Sequence, residues 1–562
     1  MRREASVVNK KVCSFPILFA LLALLIGTCA VVFPASAQAA PTSTGSITVS
    51  GTVARNYDAF QIFSANVVDG DSDAKIATDL AWASDTVRDA ALPVLHSAGM
   101  LNSQTTAREA AEWLNTDSHL TSALSAQLAR SLQSSGAVPV ALNAGTTVEL
   151  PCGYWLIVAD DDAIAQNEAG TAPIMALVGG SAVTVKPKAA TPKVSKHVLE
   201  DSTAAWQKAA DATVGDDLYW RLSATVPAGL TAYDTYAVQF VDTMSAGLDP
   251  SKVAASMRMY MAAGADGGFD AVSAGKDGRV GTEPAKGWTD ITAQCVTKVA
   301  ADGTFTVRTG DLIAALGGAD AFTAGARVVA VYNAPLNSAC NHGIAKGNPN
   351  EVYLRYPRSP FADQSGDAGF TRTPSDDACA YTWDLALTKR GSDGDKPLAG
   401  AVLSVADDRG RTLAADGTWD AEGKATVTTG EDGRVTVSGV DSGKLEVREL
   451  KAPKGYTAFE GTRSVMVKAE GLDVDQVAAA KPKLTITAES PLRADSADGS
   501  TGSLEASLIN TPTGTPPSIT TGGFMPSTGD MAMYAAAAAA VAGAALIVVA
   551  LLVKRGGGSH KE

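Results

Sequence analysis

Apolar and polar residues alternate at period two in many short runs. GSITVSGTV (45–53) and DAFQIFSANV (58–67) switch at nearly every residue, the pattern of strands with one buried face. From about Ala74 to Ser135 the spacing lengthens to that of helices, as in AREAAEWL (107–114), and strands return in GTTVELPCGYWLIVAD and APIMALVGGSAVTVKPK. Residues 45–188 therefore predict a β domain with a helical insertion. GDDLYWRLSATV, TYAVQFVDTM, ARVVAVYNAPL and EVYLRY predict a second β domain over 189–360. A Gly/Asp-rich stretch from about Phe361 to Cys379 reads as a linker. YTWDLALTK, KATVTT, RVTVSGV, KLEVREL, SVMVKA, KLTITA and SLEASLIN then recur at the spacing of a β-sandwich over 380–510. The fold class is mainly β, with tandem Ig-like sandwiches. TPTGTPPSITTGGF (511–524) is a Pro/Thr/Gly spacer.

The two ends break the alternation. Arg2, Arg3, Lys10 and Lys11 precede the apolar run Phe15–Phe33, and Ala37-Gln38-Ala39 suits signal peptidase, so residues 1–39 read as a signal peptide. At the other end, Met531–Val553 is apolar and long enough for a bilayer at about 1.5 Å per residue, and Lys554 and Arg555 follow on the cytoplasmic side. MPSTG, Met525-Pro526-Ser527-Thr528-Gly529, lies just outside that block. The block alone fits either a permanent anchor or a temporary hold.

A length of 562 residues suggests about three or four domains. A formal charge of −14 and a pI near 4.9 argue against nucleic acid, which needs clustered Lys and Arg. Of six cysteines, Cys13 and Cys29 fall in the signal; Cys152, Cys295, Cys340 and Cys379 remain and allow three pairings. No Cys-x-x-Cys pair occurs and the His are scattered, so no metal or cofactor is expected. The loop Asp69–Asp73 lacks the Gly and Glu of an EF-hand, where Ala74 and Leu80 stand. No Ser/His/Asp or phosphate-loop pattern appears; His96, His119, His197 and His342 have no motif neighbours, and no turnover enzyme is expected.

Strand parity carries the chemistry. Trp383, Leu385, Leu387 and Lys389 share one face; Leu445, Val447 and Glu449 share another; so do Leu504, Ala506, Leu508 and Asn510. A Lys, a Glu and an Asn each end an inward row. Burial lowers a Lys pKa and raises a Glu pKa, so the pair can be neutral together. A neutral amine is a nucleophile, and a protonated Glu can polarise the carboxamide and shuttle protons. The expected product is a Lys–Asn isopeptide bond formed with loss of ammonia, tying the first strand to the last against pulling along the chain.

LALTK, PLAGAVLSV, GRVTVSGVDSGKLEVRELKAPKGY and SLIN together resemble a collagen-adhesin B-type domain, a β-sandwich with an internal isopeptide. V-R-E-x-x-A-P-x-G-Y matches the Glu-box of that family. The resemblance implies Lys389 as amine donor, Asn510 as acceptor and Glu449 as catalyst. TPKVSKHV, VGDDLYW, YDTYAVQFVDTMSAGL and GNPNEVYLRY resemble the central domain of Gram-positive sortase-assembled backbone pilins. By parity Val194, Lys196 and Val198 face inward, as do Val238, Phe240 and Asp242. The resemblance implies Lys196 and Asp242 as the reacting and assisting groups, with an Asn just after the last strand, usually within Tyr-Ser-Asn. Tyr356-Pro357-Arg358 stands there and Arg has no carboxamide, so the expectation is that this second bond is absent and that Arg358 pairs with Asp242. Asn348 and Asn350 are the nearest substitutes, although both precede the strand as read. A disulfide such as Cys295–Cys340 would supply cross-linking instead.

Val185-Lys186-Pro187-Lys188 falls at the first domain junction, where the pilin family has a Val-Tyr-Pro-Lys-like stretch. The match implies Lys188 as the lysine that joins subunits, with Lys186 and Lys193 next. MPSTG resembles the Leu-Pro-x-Thr-Gly sorting signal, which implies cleavage between Thr528 and Gly529 and makes residues 525–562 a sorting signal. The resemblance as a whole implies a shaft subunit of a covalently polymerised pilus on a Gram-positive cell wall, its precursor transiently held in the membrane. The implied partners are a sortase, copies of itself and other pilins, peptidoglycan joined through a sortase, and host surface ligands. A monomeric wall-anchored adhesin and an ancillary pilin at tip or base are the alternatives.

Overall fold

The computed structural model describes residues 43–514 except 51–55, 72–73, 117, 161–163, 165, 188–190, 228–229, 265–286, 324, 361 and 363. The signal segment, Lys188, the MPSTG motif and the apolar block lie outside the described residues. Within them the chain is mainly β, built as three successive pairs of sheets.

In the first domain Thr44–Val49 pairs antiparallel with Thr147–Pro151 and parallel with Val183–Val185. The long strand Asn56–Asp69 centres the second sheet, between Lys75–Trp82 and Gly153–Ala159. Ile47, Tyr57, Trp155 and Ile157 fill the space between the sheets. Helices Asp85–Ser97, Ala107–Leu114 and Ser122–Ser135 cover the outer face, with Leu95, Leu128 and Leu132 packed on Phe60, Phe63 and Leu156. Thr106 and Glu109 close a capping box at the start of the middle helix, satisfying two backbone donors there. The helical insertion begins later than its spacing predicts. Lys75–Trp82 is a strand, because the turn closed by Gly70 N and Ala74 O folds it back on Asn56–Asp69, with Ala77 opposite Val67.

The middle domain packs a six-stranded sheet on a seven-stranded one. The first contains Val194–Glu200, Tyr219–Thr225 and Arg327–Asn333; the second contains Gln239–Met244, Thr304–Arg308 and Asn348–Pro357. Trp220, Phe240, Phe305, Tyr332 and Leu354 form its core. The segment expected as a linker carries two strands of this domain: Phe370–Arg372 pairs with Arg355–Pro357, and Asp376–Tyr381 pairs with Asn348–Val352. Asp376–Tyr381 lies inside the seven-stranded sheet, between Ala209–Asp211 and Asn348–Val352, with Ala378, Cys379, Ala380 and Tyr381 buried, so the Gly/Asp-rich run before it conceals a core strand.

In the third domain Trp383–Gly391 lies between Arg434–Val440, antiparallel, and Ser503–Pro512, parallel. The facing sheet holds Val402–Ala406, Gly443–Lys451, Thr462–Glu470 and Lys483–Ala488. Trp383, Leu385, Leu387, Val405, Val447 and Leu504 fill the interior. The strand Leu492–Asp498, paired with Ser503–Pro512, was not anticipated.

The middle and third domains are sewn together. Asp211 accepts from Trp383 Nε1 at 2.6 Å and from Ser442 N at 3.0 Å. Asp216 meets Arg409 at 2.7 Å and Arg411 at 2.8 Å. Gly343 (φ +74°) and Gly502 are in backbone contact: a Cβ on Gly343 would come within 2.4 Å of Gly502 N, so the seam needs glycine there. His342, without a motif neighbour in sequence, stands at the same seam, 2.7 Å from Asp384 and 3.6 Å from Cys340 Sγ.

Cys152, Cys295, Cys340 and Cys379 are all free thiols, which corrects the expectation of a Cys295–Cys340 disulfide. Each is packed in its own surroundings: Cys152 among Ala65, Val67 and Leu177, Cys295 with its thiol 3.2 Å from Ile291 O, Cys340 beside His342, and Cys379 against Tyr381 and Trp383.

Candidate cross-linking sites

The third-domain site follows from strand parity. Trp383, Leu385, Leu387 and Lys389 are buried on one row, Leu445, Val447 and Glu449 on a second, and Leu504, Ala506, Leu508 and Asn510 on a third. The Lys and Asn strands are hydrogen-bonded neighbours, while the Glu strand belongs to the opposite sheet. Lys389, Glu449 and Asn510 thus meet inside the sandwich, each at most 7 % exposed.

Lys389 Nζ donates to Asn510 Oδ1 and lies 3.0 Å from Glu449 Oε1. Asn510 Nδ2 donates to Glu449 Oε1 at 2.9 Å and Oε2 at 3.1 Å. Phe459 N donates to Glu449 Oε2 at 3.0 Å, and the Phe459 ring lies 5.6 Å from the amine. Burial pushes the Lys389 ammonium down to about 8, against the opposing pull of Glu449. An amine placed on the oxygen side of a carboxamide, with a carboxyl touching both nitrogens, is the reactant arrangement for amide exchange.

The middle-domain site differs from the expectation. Lys196 and Asp242 are both fully buried and in contact. Asp242 is taken up by Lys196 and Tyr332, whose hydroxyl donates to Asp242 Oδ2 at 3.1 Å, and not by Arg358. Arg358 lies past the end of its strand, where its backbone bonds Gly170 and Gly369. Asn350 is in the site instead. It is fully buried, and its Nδ2 donates to Tyr332 Oη at 2.8 Å, the same oxygen that accepts from Lys196 Nζ at 2.9 Å. Burial pushes Lys196 down to about 8 and Asp242 upward. Asp242 Oδ1 and Asn350 Oδ1 have no hydrogen-bond partner, an unusual state for buried oxygens.

Asn348, the other substitute, is spoken for. Its Oδ1 accepts from Asn341 N at 2.8 Å and its Nδ2 donates to Asn341 O at 2.8 Å and Ala380 O at 3.2 Å, which fastens a loop to the sheet. Tyr332 is the site residue that sequence reading missed; Asn350 figures there only as a substitute acceptor, placed before the final strand. The final strand starts at Asn348, so Asn350, Val352, Leu354 and Tyr356 form one inward row, and the alternation was legible two residues earlier than it was read.

Residues 384–481 match the SpaA prealbumin-like fold domain. The trypsin-resistant surface T6 protein of Streptococcus pyogenes serotype M6 is 31% identical over 134 residues, covering 22% of this chain. The chain spans 23% of the length of that relative. Among solved structures, the T6 backbone pilin of serotype M6 Streptococcus pyogenes is similar at 18% identity and a TM-score of 0.46, over 84% of this chain and 98% of that one. The full-length major pilin SpaD of Corynebacterium diphtheriae is similar at 16% identity and a TM-score of 0.40, with 84% and 98% covered.

Proposed function

We propose that the chain is the shaft subunit of a covalently polymerised pilus on a Gram-positive cell surface, a substrate with a structural role rather than an enzyme. The observation that carries the reading is the buried Lys389–Glu449–Asn510 cluster, inside a domain that matches the SpaA family. In the proposed reaction the neutral Lys389 amine attacks Cγ of Asn510. Glu449 carries a proton from Nζ to Nδ2, ammonia leaves, and an amide bond remains. The cluster Lys196–Asp242–Asn350 supports a second bond of the same kind in the middle domain, with Asn350 as the acceptor that Tyr356-Pro357-Arg358 does not supply.

Polymerisation rests on segments outside the described residues. A sortase cysteine attacks the Thr528 carbonyl and releases Gly529. Lys188 of another copy then resolves the acyl-enzyme, and the apolar block stays behind. The last subunit passes to peptidoglycan through a sortase. Copies of the chain, other pilins and host surface ligands are the proposed partners.

Wild-type cells should yield a high-mass ladder on denaturing gels, and Lys188→Ala should abolish it. A ladder that persists moves the nucleophile to Lys186 or Lys193. No ladder in wild type overturns the shaft reading in favour of a monomeric wall-anchored adhesin, and incorporation only at fibre ends favours an ancillary subunit.

A further inference from the structure

We propose, resting on the reading that Lys196 and Asn350 condense, that Tyr332 is a catalytic residue of that condensation, relaying a proton from Asp242 to the departing amide nitrogen. The two cross-linking sites solve one problem with different parts. In the third domain the Glu449 carboxylate touches the attacking nitrogen at 3.0 Å and the leaving nitrogen at 2.9 Å, so a single group serves both. The phenyl ring beside that amine, Phe459, has no hydroxyl. In the middle domain the acid is Asp242, one methylene shorter. It touches Lys196, but the Asn350 nitrogen is bonded to Tyr332 Oη at 2.8 Å. The same hydroxyl lies 3.1 Å from Asp242 Oδ2 and 2.9 Å from Lys196 Nζ. The phenol therefore spans the gap that the shorter acid leaves.

The ring is fixed for this task. Tyr332 is fully buried on the strand Arg327–Asn333 and packs edge-on against Phe305 at 4.8 Å. Burial, with Asp242 adding to it, holds the phenol well above its ordinary range, so it keeps a proton to pass on.

The proton count closes. Transfer from Lys196 to Asp242 gives a neutral amine and a neutral carboxyl. The amine adds to Cγ of Asn350. Tyr332 gives its proton to Nδ2 and takes one from Asp242. The Cγ–Nδ2 bond breaks and ammonia departs. Asp242 then removes the surplus proton from Nζ and returns to its neutral form, leaving the secondary amide.

Time-resolved intact mass and peptide mapping of freshly purified protein test the assignment. Wild type should lose two ammonias, one in the middle domain and one in the third. Tyr332→Phe should lose the third-domain ammonia at the normal rate and the middle-domain ammonia on the order of a hundredfold more slowly. Adding Asp242→Glu to Tyr332→Phe, which restores the missing methylene, should recover much of the rate; a purely structural role for Tyr332 would not give that rescue. A Tyr332→Phe chain that condenses as fast as wild type overturns the relay and leaves the cross-link standing. So does a slow Tyr332→Phe chain that the added Glu fails to rescue. A wild-type chain in which Lys196 and Asn350 stay unjoined overturns the cross-link and the relay together.

Discussion

Asn510 lies opposite Gly391, just beyond Lys389, on a strand that runs parallel to the lysine's own. The lysine reaches diagonally along its own strand direction to meet the carboxamide, and Glu449 closes the site from the facing sheet. Glu449→Ala should leave the third domain with both nitrogens, so intact mass should show one ammonia fewer lost, relative to the variant's own sequence mass, than wild type loses relative to its own. It also leaves a buried Lys389 without its carboxylate, which costs about 3–5 kcal/mol, and the melting temperature should fall. An unchanged ammonia loss would remove Glu449 from the chemistry.

The two asparagines near the middle-domain site should separate cleanly. Asn350→Ala removes the carboxamide bonded to Tyr332, and peptide mapping should find Lys196 unmodified. Asn348→Ala removes three hydrogen bonds of the Asn341 loop and should lower stability while leaving the Lys196 cross-link in place. A cross-link lost in the Asn348 variant and kept in the Asn350 variant reverses the assignment.

The folded chain should lose stability as pH rises through the titration of Glu200, whose carboxyl accepts from the backbone N of the seam residue Asp211 at 3.2 Å. Burial, reinforced by Asp211, pushes the Glu200 carboxyl up to about 8. The folded chain then holds a proton that the unfolded chain releases near 4.5. A group of this kind favours folding below about 4.5, and its contribution is lost progressively as pH rises to about 8. Thermal melts of wild type between those limits should show a downward trend that Glu200→Gln flattens. Parallel trends in the two proteins would assign the pH response to other groups.

The free thiols make a chemical prediction. Burial pushes Cys295 up to about 12 and Cys379 up to about 11, so few of either are thiolate near pH 8. Iodoacetamide should leave both unlabelled in the native protein at that pH and label all four of Cys152, Cys295, Cys340 and Cys379 after denaturation without reductant. Any pair that needs reduction first is a disulfide.

Alternation made the third-domain site legible before any coordinates. Three strands each carry a polar residue at the end of an apolar inward row, and the buried rows at Lys389, Glu449 and Asn510 follow that parity. The middle site was half legible. Lys196 and Asp242 obeyed the same rule, but Asn350 ranked only as a substitute because the final strand was read from Glu351 rather than Asn348, and Tyr332 reads as ordinary core in ARVVAVYNAPL. Local composition misled at Phe370–Arg372 and Asp376–Tyr381, where pairing to a distant strand outweighs polar sequence. At Lys75–Trp82 the spacing of the helices that follow was extended too far back. In both places pairing with an earlier strand decides, across a tight turn at Gly70–Ala74 and across a longer connection at Phe370–Arg372, and such pairing overrides the local pattern.

A bond between Lys389 and Asn510 would close residues 390–509 into a ring carried on the side of the main covalent path. One proteolytic cut in any loop of that ring opens it without parting the two ends of the subunit. The fibre would stay in one piece on a denaturing gel after nicking there, whereas a cut between the domains would sever it. In the proposed fibre, exposed loops of the third domain can therefore be cut without breaking the covalent path from one subunit to the next.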